Sequence, residues 1–467
     1  MKKEAKKEFN KEDLLYIQKN GWERSDAKKN VQIHAFSDGY KAFLDDGKTE
    51  REVVSASIAL LKKAGFCEYK QGQTLKAGDK IYQINRQKAI AAAVIGSCSP
   101  IEGMRICAAH IDSPRIDLKP NPLYESKELC YFKTHYYGGV KKYQWAAIPL
   151  DLLGVVVLQD GTSVRISTKE LENPPVFTIT DLLPHLAKDQ VSKPASEFFP
   201  GENLNILIGS VPYDGECTDR VKLAILSILN EQYNLRERDF LSAEISAVPA
   251  FDAGDVGFDR SMVGAYGQDD RVCAYTALQA LLQLGAPIKT AVCFLADKEE
   301  TGSDGVTGLQ SFFFDTFITN ICELFSVRTD LCMQNSTCLS CDVANAFDPN
   351  FQEVSDERNN AKMNYGVAVM KYTGARGKAG TSEATAEFMA SVCALFDKEN
   401  ITWQIATLGK VDQGGGGTVA AYLARRNIDT IDVGVPVLSM HAPFEVAAKL
   451  DIYMAYLAVK AYYEEKK

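Results

Sequence analysis

From about residue 245 onward the chain alternates between two apolar patterns, and this restricts its fold more than any other feature. DRVCAYTALQALLQLG spaces its apolar residues as a helix does, and IKTAVCFLAD follows as a continuous apolar strand. The pairing repeats in GVTGLQSFFFDTFIT before STCLSCDVA, in SEATAEFMASVCALFDKEN between GVAVMKY and ITWQIAT, and in TVAAYLARRN before IDTIDVGVPV. A long terminal helix, EVAAKLDIYMAYLAVKAYYEE, closes the series, and Ser382 is the expected N-cap of the SEATAEF helix. Alternation of this kind builds a mostly parallel sheet with helices on both faces. REVVSASIALLKKAG, KAIAAAVIGS and GMRICAAHI carry the same pattern through residues 51–112. The expected fold class is α/β, an α/β/α sandwich with a mostly parallel sheet, formed discontinuously by residues 1–113 and 247–467.

Residues 114–246 break the alternation. LCYFKTHYYGG, LLGVVVLQDG, TSVRISTK and PPVFTIT are short strand-like runs separated by turn signals such as QDGT and NPP. They predict a β-rich domain inserted into the α/β domain. A length of 467 residues agrees with two domains rather than one core. The opening segment, MKKEAKKEFNKEDLLYIQKNGWERSDAKKN, predicts a charged surface helix and lacks the apolar stretch of a signal peptide. A net charge of −9 without a basic stripe argues against nucleic acid, and no apolar run is long enough to span a bilayer. The expected location is the cytoplasm. The twelve cysteines fit it, since Cys107, Cys273, Cys293 and Cys393 lie in apolar strands or helices as small buried hydrophobes. Cys338 and Cys341 form a lone CxxC whose side chains would point to opposite faces of a strand. The GGGG at 414–417 matches no phosphate-binding pattern and predicts a tight loop that lets backbone approach a ligand.

Polar residues appear where the apolar strands end. His110 closes MRICAAHID, with Asp112 two residues on, and His441 closes VPVLSMHAP. Between them come Asp269 and Asp270 in GQDDR, Glu299 and Glu300 in DKEETGSDG, and Asp342 after TCLSC. Strand carboxyl ends line the crevice in which open α/β sheets bind ligands. Imidazole and carboxylate together suit zinc, manganese or cobalt. Asp112 is placed to hold the His110 ring by its free N–H. On spacing alone an N-cap role for Asp269 and a solvated surface pair for Glu299 and Glu300 stay open.

AAHIDSPRIDLKP, GQDDRVCAYTALQAL, DKEETGSDG, CDVANAFDPNF and VLSMHAPFE, in this order, resemble the M18 family of metalloaminopeptidases, the aspartyl aminopeptidase and aminopeptidase I group. The resemblance covers nearly the whole chain. It implies a two-metal aminopeptidase that removes the N-terminal residue of a peptide, with two divalent ions per subunit, zinc foremost and cobalt or manganese as alternatives. His110 and Asp342 would ligate one ion, Glu300 and His441 the other, and Asp269 would bridge them. Glu299 would be the general base on a metal-bound water, and Asp112 would orient His110. The inserted domain would mediate dimerisation within a homo-oligomer, a dimer-based dodecamer. Lys371 would pair with an acidic substrate side chain. Three departures stand out: Asn345 and Asp348 occupy the places of two family histidines, KKYQW replaces a W-H-T-W stretch, and Asp269–Asp270 stands where Asp-Asn is usual. The alternatives are a related di-zinc amidohydrolase acting on small N-acyl amino acids, and a catalytically silent scaffold of the same fold.

Overall fold

The computed structural model describes residues 14–466. The first residues of the charged opening segment therefore lie outside the described residues, and its remainder enters the helix Ala27–Asp46, capped by Asp26.

The main sheet has nine strands, in the spatial order Cys67–Glu68, Lys80–Asn85, Ala89–Val94, Ala291–Ala296, Arg105–His110, Thr337–Cys341, Asp429–Gly434, Val367–Met370 and Trp403–Ile405. The centre, from Ala291–Ala296 to Asp429–Gly434, is parallel. Antiparallel pairings enter on both sides, where Ala89–Val94 meets its two neighbours and Val367–Met370 meets Asp429–Gly434.

Central strands read as unbroken apolar runs because both faces are covered. In Arg105–His110, Cys107 and Ala109 join the core on one face, while Ile106 and Ala108 join the core on the other. The first core is closed by helices including Glu50–Lys63, Gln268–Leu282, Ala386–Lys398 and Lys449–Glu464, the second by Phe313–Leu324 and Ala420–Ala424. Cys338 and Cys341 fall in opposite cores, so the CxxC cannot act as a pair.

Residues 115–249 supply every strand of a second, antiparallel sheet, in the order Ser163–Ser167, Leu150–Val157, Glu244–Pro249, Arg115–Ser126, Leu129–Tyr137, Ile206–Gly209 and Thr178–Ile179. It has its own core around Phe132, Trp145, Leu152 and Phe240. A third, five-stranded sheet joins Gly254–Val256, Met262–Ala265, Glu445–Ala448, Pro436–Leu438 and Ala344–Asn345.

Three local expectations are corrected. The terminal helix begins at Lys449; EVAA before it is the strand Glu445–Ala448, paired with Met262–Ala265 and Pro436–Leu438. Tertiary pairing here overrides residues that favour helix. The helix expected over GVTGLQSFFFDTFIT starts only at Phe313, because residues 303–311 form turns held to the sheet, with Thr307 Oγ1 donating to Asp297 Oδ2 at 2.5 Å. Thr385, not Ser382, caps Ala386–Lys398, its hydroxyl accepting from Phe388 N at 3.2 Å.

Candidate metal centre

Three adjacent parallel strands stop at one edge, and residues at or just past their ends meet there. His110 is the last residue of its strand and Asp342 follows Thr337–Cys341 directly. Glu299 and Glu300 sit in a short 3-10 turn after Ala291–Ala296. The small sheet supplies the rest. His441 lies in the turn between Pro436–Leu438 and Glu445–Ala448, with φ of 66°. Asp269 lies at the start of Gln268–Leu282, just past Met262–Ala265, with non-helical dihedrals. The residue at the N-cap is Gly267, and both carboxylate oxygens of Asp269 face imidazole nitrogens, which disfavours the N-cap alternative.

Asp269 is the hub. Its Oδ1 lies 3.1 Å from His110 Nε2 and its Oδ2 lies 3.1 Å from His441 Nε2. Asp342 Oδ1 is 3.8 Å from His110 Nε2, and Glu300 Oε1 is 3.6 Å from His441 Nε2. Two triads result, His110–Asp269–Asp342 and Asp269–Glu300–His441, each with its ligand atoms within 4.8 Å of one another. Glu299 Oε2 stands 3.9 Å from His110 Nε2 and belongs to neither.

Asp112, wholly buried, organises one side. Its Oδ1 is 3.3 Å from His110 Nδ1 and accepts from Glu299 N at 3.1 Å; its Oδ2 accepts from Glu300 N at 3.2 Å and from the Tyr137 hydroxyl at 2.6 Å. On the other side Glu445 accepts from His441 N at 2.7 Å and from Asp269 N at 3.1 Å. The His441 Nδ1 is 2.9 Å from Gly139 O. With each outer nitrogen held by an acceptor, each imidazole presents Nε2 inward. Tyr137, Gly139 and Glu445 were not singled out from the sequence, although Glu445 lies inside VLSMHAPFE and the other two inside the strand-like run LCYFKTHYYGG.

The electrostatics suit cations. Burial, with Asp269 and Asp112 nearby, pushes Glu299 up to about 7 against the opposing pull of His110. Burial and then Asp270 push Asp342 well above the carboxylate range, and burial and then Asp269 do the same to Glu300. Burial works against charge on His441, yet Asp269 and Glu300 hold it at about 10. Glu300 Oε1 is buried without a hydrogen-bond partner. Four crowded carboxylates facing two imidazoles are costly in an apolar setting unless positive charge joins them. The donor set therefore fits divalent metal, and its nitrogen and oxygen ligands fit zinc.

The centre opens onto a cleft of about 450 Å³ lined by Glu299, Met370, Thr373, Leu408, Met440 and the backbone of Gly415–Gly417. The tetraglycine thus faces the cleft as expected, and a Cβ on Gly415 would lie 2.3 Å from Ala375 Cα. Lys371 is not among the residues lining the cleft; its ammonium is 3.6 Å from Glu383 and the side chain is 40% exposed. Asn345 and Asp348 line an adjoining recess of about 760 Å³ together with Lys141, Tyr143 and Gln144 of the KKYQW stretch. His135 is exposed, with Nδ1 2.8 Å from Tyr136 O.

Comparison with known proteins agrees with this arrangement. Residues 43–463 match the family model described as aminopeptidase I zinc metalloprotease (M18). The probable M18 family aminopeptidase 1 of Clostridium acetobutylicum is 48% identical over 450 residues, covering 94% of this chain and 97% of the relative. The crystal structure of an M18 aminopeptidase from Thermotoga maritima superposes with a TM-score of 0.93 at 44% identity, covering 96% of this chain and 100% of that one. The S. cerevisiae mApe1 dodecamer shares the fold at a TM-score of 0.74 and 19% identity, over 93% of this chain and 96% of its own. Among the described residues no helix is long and apolar enough to cross a membrane. The match runs nearly end to end in sequence and in backbone, and on that ground the chain belongs to the M18 family of zinc metalloaminopeptidases.

Proposed function

We propose that the protein removes N-terminal residues from peptides at a centre for two divalent ions, zinc foremost. His110 and Asp342 would hold one ion, Glu300 and His441 the other, with Asp269 serving both. The sharing of Asp269 by the two triads carries this reading, since its two oxygens face different histidines at 3.1 Å. Two cations so placed would act as Lewis acids toward a peptide carbonyl and would acidify water.

The chain's own groups supply the rest. Glu299, outside both triads and with Oε2 3.9 Å from His110 Nε2, takes the proton of the attacking water on its carboxylate and returns it to the departing amine. Asp112 holds Nδ1 of His110 and the backbone N–H groups of Glu299 and Glu300, so base and ligands share one anchor. The surplus carboxylate charge receives the free α-amino group that distinguishes an exopeptidase substrate. The cleft wall of Met370, Thr373, Leu408 and Met440 receives the first side chain.

The sheet built from residues 115–249 would be the dimerisation domain of a homo-oligomer. Val176, Leu182, Leu183, Leu186 and Val191 are exposed on that segment, an apolar surface that association would cover. The S. cerevisiae relative is a dodecamer, in keeping with a large homo-oligomer here. Twelve unpaired thiols suit a reducing compartment, the cytoplasm.

Glu299→Gln tests the mechanism. Zinc content should stay at the parental level while hydrolysis of aminoacyl-anilides and dipeptides falls by about 10²–10⁴. Parental turnover in that variant would remove Glu299 from the role.

A further inference from the structure

One turn of the antiparallel sheet reaches both halves of the centre. The strand Leu129–Tyr137 ends at its edge, and the next residues are Gly138 and Gly139. The Tyr137 hydroxyl donates to Asp112 Oδ2 at 2.6 Å, the shortest hydrogen bond that carboxylate receives. The Tyr137 ring is itself clamped, with the Arg115 guanidinium 4.1 Å and the Lys298 ammonium 4.9 Å from its centroid. Two residues on, Gly139 O meets His441 Nδ1 at 2.9 Å. Between them Gly138 has φ of 72°, and a Cβ there would stand 3.2 Å from Glu300 Cβ and 3.3 Å from Glu300 Oε2. A side chain would press on a ligand carboxylate, so the turn is bare where it crosses the centre.

We propose that Tyr137–Gly139 is a positioning element of the metal centre. Tyr137 steadies Asp112, whose main-chain carbonyl and Oδ1 lie 3.0 and 3.3 Å from His110 Nδ1 and whose Oδ2 also accepts from Glu300 N, while the Gly139 carbonyl fixes His441 directly. The proposal rests on the two-ion reading above and adds that the antiparallel sheet, besides any part in assembly, sets the geometry of both ligand histidines. Partners of this kind typically account for about 10–100-fold in metal affinity or activity.

Zinc dissociation constants of both sites, measured by competition with a fluorescent chelator, test it alongside kcat and KM on leucyl-p-nitroanilide. Tyr137→Phe keeps the clamped ring and removes only the hydroxyl. One zinc constant should rise about tenfold and kcat should fall, with KM held within about twofold and the melting temperature near the parent's. Gly138→Ala should instead raise the other constant, because its methyl group meets Glu300. Both constants unchanged in Tyr137→Phe would overturn the proposal. Equal weakening of both ions in both variants, in step with a lower melting temperature, would also overturn it, since that marks general destabilisation. A parent that binds fewer than two zinc ions refutes the two-ion reading itself and is recognised before any variant is compared.

Discussion

Gly434 offers a severe test of how the centre is held. It ends the strand Asp429–Gly434, beside the segment that carries Asp342. A Cβ added there would lie 1.5 Å from Asp342 O and 2.6 Å from its carbonyl carbon. Real Cβ contacts start near 3.0 Å, so Gly434→Ala must push the backbone of Asp342 away by about the same 1.5 Å. Backbone on that side cannot swing aside as a flexible side chain would. Metal sites tolerate departures of only about 0.2 Å in ligand distance. A shift several times larger takes Asp342 out of the His110 triad, and that ion should bind at least about a hundredfold more weakly, beyond the range seen when only an outer partner is lost. Overpacking should also cost about 1–3 kcal/mol of stability. Gly285→Ala is the control, since a Cβ there has nothing within 4 Å. Zinc per chain after dialysis against zinc-buffered chelator should fall from two to one in Gly434→Ala and stay at two in Gly285→Ala. Two zinc ions at parental affinity with parental turnover in Gly434→Ala would refute the claim that Asp342 is held by this contact and ligates.

Other measurements probe other parts. The cleft lining carries Met370, Thr373, Leu408 and Met440, and Lys371 turns to Glu383. N-terminal Leu or Met should therefore be removed faster than Asp, and Lys371→Met should change that ratio by less than about twofold; a selective loss on acidic substrates would restore the acid-reading role to Lys371. Burial opposes charge on Glu50, yet Arg115 and Lys88 hold it down at about 2 against an ordinary 4.5. A lowered carboxylate stabilises the fold above its unfolded pKa and loses that effect as pH falls through the folded one. The melting temperature of Glu50→Gln should thus lie below the parent's at pH 7, with the gap narrowing below pH 4.5; a gap independent of pH would reject the ion network as its cause. Light scattering at micromolar concentration should find a large homo-oligomer, and a monomer would reject the assembly assigned to the antiparallel sheet.

What the sequence discloses of this site follows a physical rule. His110, Asp342 and the Glu299–Glu300 pair each follow an apolar strand, where an ionisable group has no reason to be unless something meets it. Parallel strands stop together, so residues that look alike along the chain become neighbours in space. Tyr137, Gly139 and Glu445 have no such mark. Tyr137 is an ordinary strand tyrosine, and the contact of Gly139 is made by a carbonyl every residue possesses. The failed helix at EVAA has a similar cause, because alanine and glutamate favour a helix locally and the pairing with Met262–Ala265 outweighs them. Lys371 follows its strand much as the ligands follow theirs, but its strand lies toward the margin of the sheet, beyond the parallel centre, and its side chain turns to Glu383.

The order of the ligands along the chain has a consequence for the cell that makes it. Asp269 closes on His110 across 159 residues, and His441 on Gly139 across 302. Of the five proposed ligands His441 lies last in the sequence, so no stretch of chain that stops short of it holds both triads. A nascent chain that has not reached His441 therefore lacks the proposed two-ion centre. On the proposed ligand set, the complete centre forms only once His441 has been made and has found residues made long before it.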